Sequence, residues 1–194
     1  YEIVSTLGEG GMGEVYLARD SRLQRRIALK VLHPDAQDDE SARRRFGKEA
    51  QTAPALNHSN IVTIFDAGHV DGLDYIALEY VEGSTLDCFA EPPGQPGEFF
   101  DALRRLLDAL HARGIAYGDL HKRCNILVRP DGRPGLIDFQ ISVLHDERAN
   151  SLVRRLSRWW VNYLQRMDLY HLYKHKRRMA GQAMSEQDWA LAVR

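Results

Sequence analysis

The chain has 194 residues, enough for one large domain or two small lobes, and its 44% hydrophobic and 27% charged content excludes a disordered or fibrous protein. The formal net charge is −1, but residues 145–194 carry a net charge of +5 against −6 for the rest. This asymmetry predicts that the basic end meets anionic lipid, nucleic acid or an acidic face of the protein itself.

The N-terminal residues predict a glycine loop between two strands. Residues 1–8 and 15–19 alternate apolar and polar side chains, as strands do, and Gly8-Glu9-Gly10-Gly11-Met12-Gly13 separates them. Glycine allows backbone N–H groups to approach phosphate oxygens closely. A dinucleotide-binding fold requires a helix after such a loop, so the strand predicted here argues against that fold.

A third predicted strand, residues 27–32, contains one lysine, Lys30, in an otherwise apolar run. Burying a lysine is costly unless an anion meets it, although an edge lysine can also extend its ammonium group into water. Residues 38–56 then predict a helix that Asp39 or Ser41 caps, that carries Glu49, and that Pro54 kinks or ends.

The middle of the chain predicts a second hairpin, a connector and an amphipathic helix. Residues 61–65 and 73–80 are predicted strands, with turn signals at 67–68 and 71–72. The Pro- and Gly-rich residues 89–98 predict a surface connector. Residues 98–113 place Phe99, Leu103, Leu106, Leu107 and Leu110 on one helical face, and Gly114 ends this helix.

Residues 119–138 are the stretch around which the rest is organised. They predict a loop, a strand at 126–129, a Pro-Asp-Gly turn at 130–132 and a strand at 135–139. Such a hairpin brings Asp119, Asn125 and Asp138 to one edge. Two carboxylates and an amide can hold a divalent metal on phosphate oxygens and leave one carboxylate to orient a hydroxyl, which indicates phosphoryl transfer from ATP.

Residues 148–180 predict a long helix, and its apolar residues recur every three or four positions. We expect this stripe, formed by Leu152, Leu156, Trp159, Tyr163, Met167 and Tyr170, to face the core. An alternative is a basic amphipathic surface over residues 170–178, with Lys174, Lys176, Arg177 and Arg178 facing anionic lipid. No recognition motif accompanies the basic residues, so we expect no nucleic-acid partner.

The order of the N-terminal motifs resembles the N-terminal lobe of bacterial, eukaryotic-type serine/threonine protein kinases. The resemblance covers residues 1 to about 88 and rests on LGEGGMGEVYLARD, IALKVL, RFGKEA, HSNIVTIFDAG and YIALEYVEG. It implies that Lys30, held by Glu49, grips the ATP phosphates beneath the glycine loop. The implied nucleotide-binding residues are Leu7, Gly8, Glu9, Gly10, Gly11, Met12, Gly13, Val15, Ala28, Lys30, Leu78, Glu79 and Val81.

The catalytic stretch departs from the kinase signature in three places. Tyr117-Gly118 precedes Asp119 where the signature has His-Arg, Asn125 follows after six residues rather than five, and Gln140 replaces the glycine after Asp138-Phe139. The resemblance still makes Asp119 the catalytic carboxylate and Asn125 and Asp138 the Mg²⁺ ligands. His121 or Lys122 is expected near the γ-phosphate.

The half from about residue 99 is similar to compact kinase-like proteins, namely lipopolysaccharide-core kinases, RIO-type kinases and aminoglycoside-type phosphotransferases. The similarity rests on YGDLHKRCNILV and LIDFQ. After Ser142 the sequence has no segment ending in Ala-Pro-Glu, which puts peptide docking and loop phosphorylation in doubt.

The sequence therefore predicts an α+β, two-lobed kinase-like fold with a reduced C-terminal lobe. The lobes span residues 1–88 and 99–194, with ATP between them and Mg²⁺ as the metal. We expect a serine/threonine protein kinase acting on a protein hydroxyl. A glycolipid or small-molecule kinase and a nucleotide-binding pseudokinase scaffold are the alternatives.

Two further expectations concern location. Cys88 and Cys124 are too few and too isolated for a disulfide framework, which predicts free thiols in a reducing cytoplasm. No signal peptide or membrane-spanning apolar run is visible. We expect a cytoplasmic protein, with peripheral association at the inner membrane as an addition, and a start at Tyr1 fits an excised domain.

Overall fold

Alternating apolar and polar residues build an antiparallel sheet in the N-terminal part of the chain. We describe a computed structural model over residues 1–10, 13–33, 39–52, 61–145 and 150–192. The sheet has the order β1-β2-β3-β5-β4, with every neighbouring pair antiparallel. Its strands are β1 (Glu2–Gly10), β2 (Gly13–Asp20), β3 (Arg25–Leu32), β4 (Ile64–Val70) and β5 (Leu73–Glu79).

The two faces of this sheet bury different apolar clusters. Ala18, Ile27, Leu29 and Ala77 pack together on one face. On the other face, Leu32 and Ile76 pack against Ala42 and Phe46 of helix α1 (Glu40–Thr52). This division follows from the period of two along a strand, which sends successive side chains to opposite faces. The sheet and α1 form one unit, Tyr1–Val81.

The structure differs from three of the expectations for this unit. Helix α1 begins at Glu40 and not at residue 38, and Asp39 lies before it and accepts the Ser41 N–H at 2.8 Å, as a capping residue does. Residues 34–38 and 53–60, including Pro54, lie outside the described residues. The predicted strand 61–65 begins only at Ile64, and the predicted turn at 67–68 is wrong because β4 continues through it.

Gly68 explains the failed turn prediction. A Cβ at this position would lie 2.9 Å from the Tyr75 hydroxyl oxygen on the neighbouring strand, so the glycine makes room for a tyrosine ring. The chain reverses instead at Asp71-Gly72, where both residues have positive φ (52° and 80°).

The second unit, Glu82–Arg194, contains helices and short strand pairs. One small sheet has the order β6-β8-β9, and β10 pairs with β7. The helices α2, α3 and α4 pack in the order of the chain, with α3 against both α2 and α4. The elements are β6 (Ser84–Thr85), α2 (Pro96–His111), β7 (Ile115–Ala116), β8 (Ile126–Val128), β9 (Pro134–Leu136), β10 (Val143–Leu144), α3 (Ser151–Met179) and α4 (Glu186–Ala192).

Helix α2 and the central hairpin form as predicted, with bounds that differ by up to three residues. All five residues of the predicted apolar face of α2 are buried. Strands β8 and β9 flank the Pro130-Asp131-Gly132 turn and pair from Ile126–Leu136 to Val128–Pro134. Together with the sheet and helix of the first unit, these elements confirm the predicted α+β class.

The predicted core-facing stripe of α3 is wrong for the first half of the helix. Leu152, Leu156 and Trp159 are 73%, 67% and 64% exposed. The buried side chains are instead Val161 and Asp168 and, further on, a group in the second half of the helix. Periodicity predicts that a helix has an apolar face, but only neighbouring elements decide whether that face is covered, and none of residues 151–160 is buried.

The proposed basic surface over residues 170–178 also needs correction. Lys176 is only 5% exposed, and its Nζ lies 3.0 Å from Asp101 and 2.9 Å from Asp188. Burial alone would lower the pKa of Lys176, but the hydrogen bonds that it donates to Asp188 and Asp101 raise this pKa above its usual value. Lys176 therefore joins α2, α3 and α4 and is not part of a free basic surface.

Among the described residues, no helix combines the length and the hydropathy that crossing a bilayer requires. Both cysteines are exposed and unpaired, which confirms the prediction of free thiols.

Candidate active site

The glycine loop forms the tip of the β1–β2 hairpin, as predicted from the strand that follows it. Gly8 pairs with Val15, and Gly10 pairs with Gly13. Gly11 and Met12 lie outside the described residues. A Cβ on Gly13 would lie 2.0 Å from the Val31 carbonyl oxygen, so only glycine fits where the loop rejoins the sheet. Gly8 has open space around it.

Lys30 shares one face of the sheet with three residues expected to contact adenine. Directly opposed residues on antiparallel strands point to the same side, and Lys30 lies opposite Val15 on β2 and Ile76 on β5. Ala28, two residues earlier on β3, lies opposite Leu78. Val15, Ala28 and Leu78 are all partly exposed, so this side of the sheet offers an apolar surface beside a lysine.

The remaining predicted residues of this unit differ in what the structure describes. Leu7 is 46% exposed on β1. Glu49 lies in α1, but its side chain is outside the described residues, so its pairing with Lys30 stays a prediction. The Glu79 N–H donates to the Thr63 carbonyl at 2.7 Å, and Val81 ends the unit, so the adenine contacts of their backbone groups stay a prediction.

In the second unit, Asp119 is the centre of a hydrogen-bonded cluster. It is 3% exposed, and its Oδ2 accepts hydrogen bonds from Asn125 Nδ2 at 2.8 Å and Lys122 Nζ at 2.9 Å. His121 Nδ1 lies 3.2 Å from Oδ1. That approach does not have hydrogen-bond geometry, however, so Oδ1 has no hydrogen-bond partner among the described residues. One oxygen of Asp119 is thus held and the other is buried without a donor.

Two consecutive turns absorb the extra residue between Asp119 and Asn125. The Lys122 N–H donates to the Asp119 carbonyl, and the Asn125 N–H donates to the Lys122 carbonyl, at 3.3 and 3.2 Å. Residues Arg123–Asn125 form a 3₁₀ turn. Two steps of three residues make the six-residue interval, and they return the Asn125 side chain to Asp119.

Asp138 follows β9 in a left-handed backbone conformation with a φ of 61°, which is uncommon for a non-glycine residue and typical of functional loops. The Ile137 N–H donates to the Asn125 carbonyl at 3.1 Å, so the stretches before and after the hairpin are joined just before Asp138. The hydrogen bond that Lys122 donates to Asp119 raises the pKa of Lys122, and the charges of Asp119 and Asp138 add to the effect. Both carboxylates therefore act electrostatically on Lys122, and their sharing of one metal ion stays a prediction.

The buried residue Asp168 is a positioning group that the sequence analysis missed. It is 1% exposed, and it accepts the backbone N–H groups of Tyr117 and Gly118, each at 2.8 Å. His111 Nε2 lies 3.1 Å from it. A signal was present in the sequence, because Asp168 is the single acidic residue of α3. This carboxylate fixes the two residues that precede Asp119.

Two further contacts hold the loop. His175 Nε2 lies 2.8 Å from the carbonyl oxygen of Leu120, and burial lowers the pKa of His175, so the neutral ring donates this hydrogen bond. Tyr117 is fully buried, donates its hydroxyl to the Ile137 carbonyl and packs edge-on against Phe139, with ring centroids 5.1 Å apart. The loop around Asp119 is therefore fixed on both sides by α3 and by the segment containing Asp138.

Comparison with known proteins gives the family of this chain. The protein kinase domain family matches residues 1–162. The serine/threonine-protein kinase PrkC of Bacillus subtilis is 40% identical over 147 residues, which cover 73% of this chain and 22% of that protein. PknF and PknB of Mycobacterium tuberculosis, also named serine/threonine-protein kinases, are 38% and 39% identical and cover 84% and 79% of this chain.

The chain spans only 22% to 36% of the length of these relatives. Members of the family use ATP as the phosphoryl donor and a divalent metal ion. The match covers both the glycine hairpin and the Asp119 cluster, and the predicted resemblance is thereby confirmed. The chain belongs to the protein kinase domain family.

Proposed function

We propose that this protein is an ATP-dependent phosphotransferase that transfers the γ-phosphate of ATP to a serine or threonine hydroxyl of a protein. The observation that carries the proposal is the state of Asp119, whose Oδ2 is held by Asn125 and Lys122 while its buried Oδ1 has no donor among the described residues. A carboxylate oxygen oriented in this way suits an incoming hydroxyl group.

In this proposal, the first unit binds the nucleotide. The glycine hairpin covers the phosphates, and Lys30, held by Glu49, contacts the α- and β-phosphates. Val15, Ala28 and Leu78 lie on the same face of the sheet as Lys30 and would contact the adenine ring. The backbone groups of Glu79 and Val81 would recognise its edge, and Leu7 and Gly8–Gly13 complete the set.

Asn125 and Asp138 are the proposed ligands of Mg²⁺, which supplies charge neutralisation at the phosphates when bound. The amide and carboxylate oxygens fit this ion, because Mg²⁺ prefers oxygen ligands and commonly takes only one or two from a protein, with the rest from phosphate and water. The side chain of Asn125 is already oriented by its hydrogen bond to Asp119.

Asp119 then orients the acceptor hydroxyl and accepts its proton through Oδ1. Lys122 contributes positive charge beside it, since the raised pKa keeps its ammonium group protonated across the physiological range. Protein kinases have a lysine two residues after the catalytic aspartate, a position that His121 holds in this sequence. We expect Lys122, three residues after Asp119, to act as that lysine near the γ-phosphate. Catalysis in this scheme is positioning plus charge stabilisation, without a covalent intermediate.

One observation favours a second candidate, a kinase acting on a glycolipid or another small molecule. Helix α3 begins at Ser151, 13 residues after Asp138, and β10 occupies part of that interval. Little chain is then left to form a peptide-docking segment. The third possibility is a scaffold that binds nucleotide without turnover.

A label-transfer experiment separates these functions. The full chain is incubated with γ-labelled ATP and Mg²⁺, and with either dephosphorylated casein or extracted bacterial glycolipids as acceptor. The proposal expects label on serine or threonine of the protein acceptor, above the level of an Asp119→Ala variant. Label only on the glycolipid supports the second candidate. ATP binding with no transfer to either acceptor contradicts both kinase functions.

A further inference from the structure

The first half of helix α3 has an apolar face that points away from the core. Leu152, Leu156, Trp159 and Tyr163 are 73%, 67%, 64% and 47% exposed, and their spacing of four, three and four residues places them on one side of the helix. Val161, which is 2% exposed, lies on the opposite side. We call these four residues the outer face of α3.

The chemistry of this outer face is that of a membrane-surface helix. Trp159 stacks on Tyr163 with an interplanar angle of 15° and ring centroids 6.2 Å apart. Residues 150–167 contain four arginines and no acidic residue, and Arg154, Arg155, Arg158 and Arg166 are all exposed. Aromatic and leucine side chains flanked by arginine are typical of helices that lie in the interface of an anionic bilayer.

We propose that the outer face of α3 docks on an anionic membrane surface. The two leucines and two aromatic rings enter the interface between headgroups and acyl chains, and the arginines contact lipid phosphates. The charge of this segment favours a phospholipid surface over a protein partner of ordinary mixed charge, because all its charges have the same sign. Docking of α3 on a membrane is independent of which molecule accepts the phosphoryl group in the proposed function.

Vesicle binding tests the proposal with the full chain. We expect co-sedimentation with phosphatidylcholine vesicles that contain about one third phosphatidylglycerol, at least about tenfold tighter than with phosphatidylcholine alone and weakened by salt. In a Trp189→Phe variant, Trp159 and Trp160 are the remaining tryptophans, and we expect their emission, excited selectively over tyrosine, to shift to shorter wavelength on binding.

Two double variants separate the apolar and charged contributions. Leu156→Ser with Trp159→Ser is expected to weaken vesicle binding by about tenfold or more. Arg155→Gln with Arg166→Gln, the exposed arginines that flank the outer face, is expected to weaken it by about fivefold for each arginine. The matched control is Lys174→Gln with Arg178→Gln, which removes two exposed charges from the other half of the helix and should change binding little.

All these side chains are exposed, so the variants should unfold at the wild-type temperature, and a loss of binding then has no folding explanation. Equal vesicle binding by the Leu156/Trp159 variant would overturn the proposal. A concentration-dependent dimer that the same variant abolishes, with no vesicle binding, would also overturn it and assign the face to a second copy. Binding to RNA but not to vesicles would likewise overturn the proposal.

Discussion

Asn125 donates a hydrogen bond to Asp119, with 2.8 Å between Nδ2 and Oδ2, across an interval one residue longer than the kinase signature. The longer interval therefore does not separate the proposed metal ligand from the proposed catalytic carboxylate. This hydrogen bond occupies Oδ2 of Asp119 and leaves Oδ1 for a substrate.

This pairing predicts the behaviour of an Asn125→Ala variant. Its kcat should fall by about 100-fold, because Asp119 loses an orienting donor and the metal loses a ligand. The Mg²⁺ concentration for half-maximal activity should rise. Steady-state kinetics across a Mg²⁺ titration measure both effects, and Asn162→Ala, at an exposed asparagine on α3, is the matched control. An unchanged Mg²⁺ requirement would argue against Asn125 as a ligand.

Removing Asp168 should destabilise the protein. In Asp168→Ala, the buried N–H groups of Tyr117 and Gly118 lose their acceptor, and we expect a loss of about 3 kcal/mol in the free energy of unfolding. Urea unfolding measures it. The control Asp108→Ala removes an exposed carboxylate paired with Arg104 and should cost less than about 1 kcal/mol.

A positioning role for Asp168 has a second consequence. At temperatures where the Asp168→Ala variant stays folded, its kcat should fall while the ATP affinity changes little, since the loop before Asp119 is displaced and the first unit is unaffected. A stability loss with wild-type kcat would leave Asp168 a purely structural residue.

The protein should lose stability on mild acidification because of His175. Burial lowers its pKa, so the unfolded chain protonates this ring at a higher pH than the folded protein does. The unfolded state then binds more protons, and the free energy of unfolding falls as the pH drops through about 6.5 towards the lower folded pKa. His171, whose pKa burial also lowers, adds in the same direction.

Comparison of wild type and His175→Gln at two pH values tests this linkage. At pH about 8 the ring is neutral in both states, so the difference reports only the lost packing and hydrogen bond. At pH about 5.5 the variant should have lost less stability relative to its own value at pH 8 than the wild type has. Parallel pH dependences for the two proteins would contradict the assignment.

The two flanking glycines of the loop should respond differently to substitution. Gly13→Ala places a Cβ 2.0 Å from the Val31 carbonyl oxygen, so the backbone must shift, and we expect a stability loss of about 2 kcal/mol together with weaker ATP binding. Gly8→Ala meets open space and should leave thermal unfolding unchanged. Equal unfolding temperatures for the two variants would contradict this description of the hairpin.

The sequence predicted those parts of the site that depend on local pattern. The glycine hairpin, the Pro130-Asp131-Gly132 turn and the approach of Asn125 to Asp119 follow from turn residues and strand alternation. Asp168 was missed because its role depends on contacts with residues about 50 positions away, and its being the single acidic residue of α3 does not say what it contacts.

The errors in α3 have a related cause. The spacing of Leu152, Leu156 and Trp159 correctly indicates an apolar face, but that face is exposed, because the buried residues of α3 begin at Val161. Likewise, Lys176 belongs to a run of basic residues, and only tertiary packing reveals that Asp101 and Asp188 surround it. Periodicity and charge runs predict which residues share a face of a helix. Contacts with neighbouring elements decide whether that face is buried, paired or exposed.

The central claim, that Asp119 performs phosphoryl transfer, is tested most directly by separating turnover from binding in Asp119→Asn. We predict a fall in kcat of about 1,000-fold with the ATP dissociation constant unchanged within about twofold, because the substituted group acts on the acceptor and not on the nucleotide. Asp131→Asn, in the exposed hairpin turn, should match the wild type in both quantities. Wild-type turnover in Asp119→Asn would contradict the account.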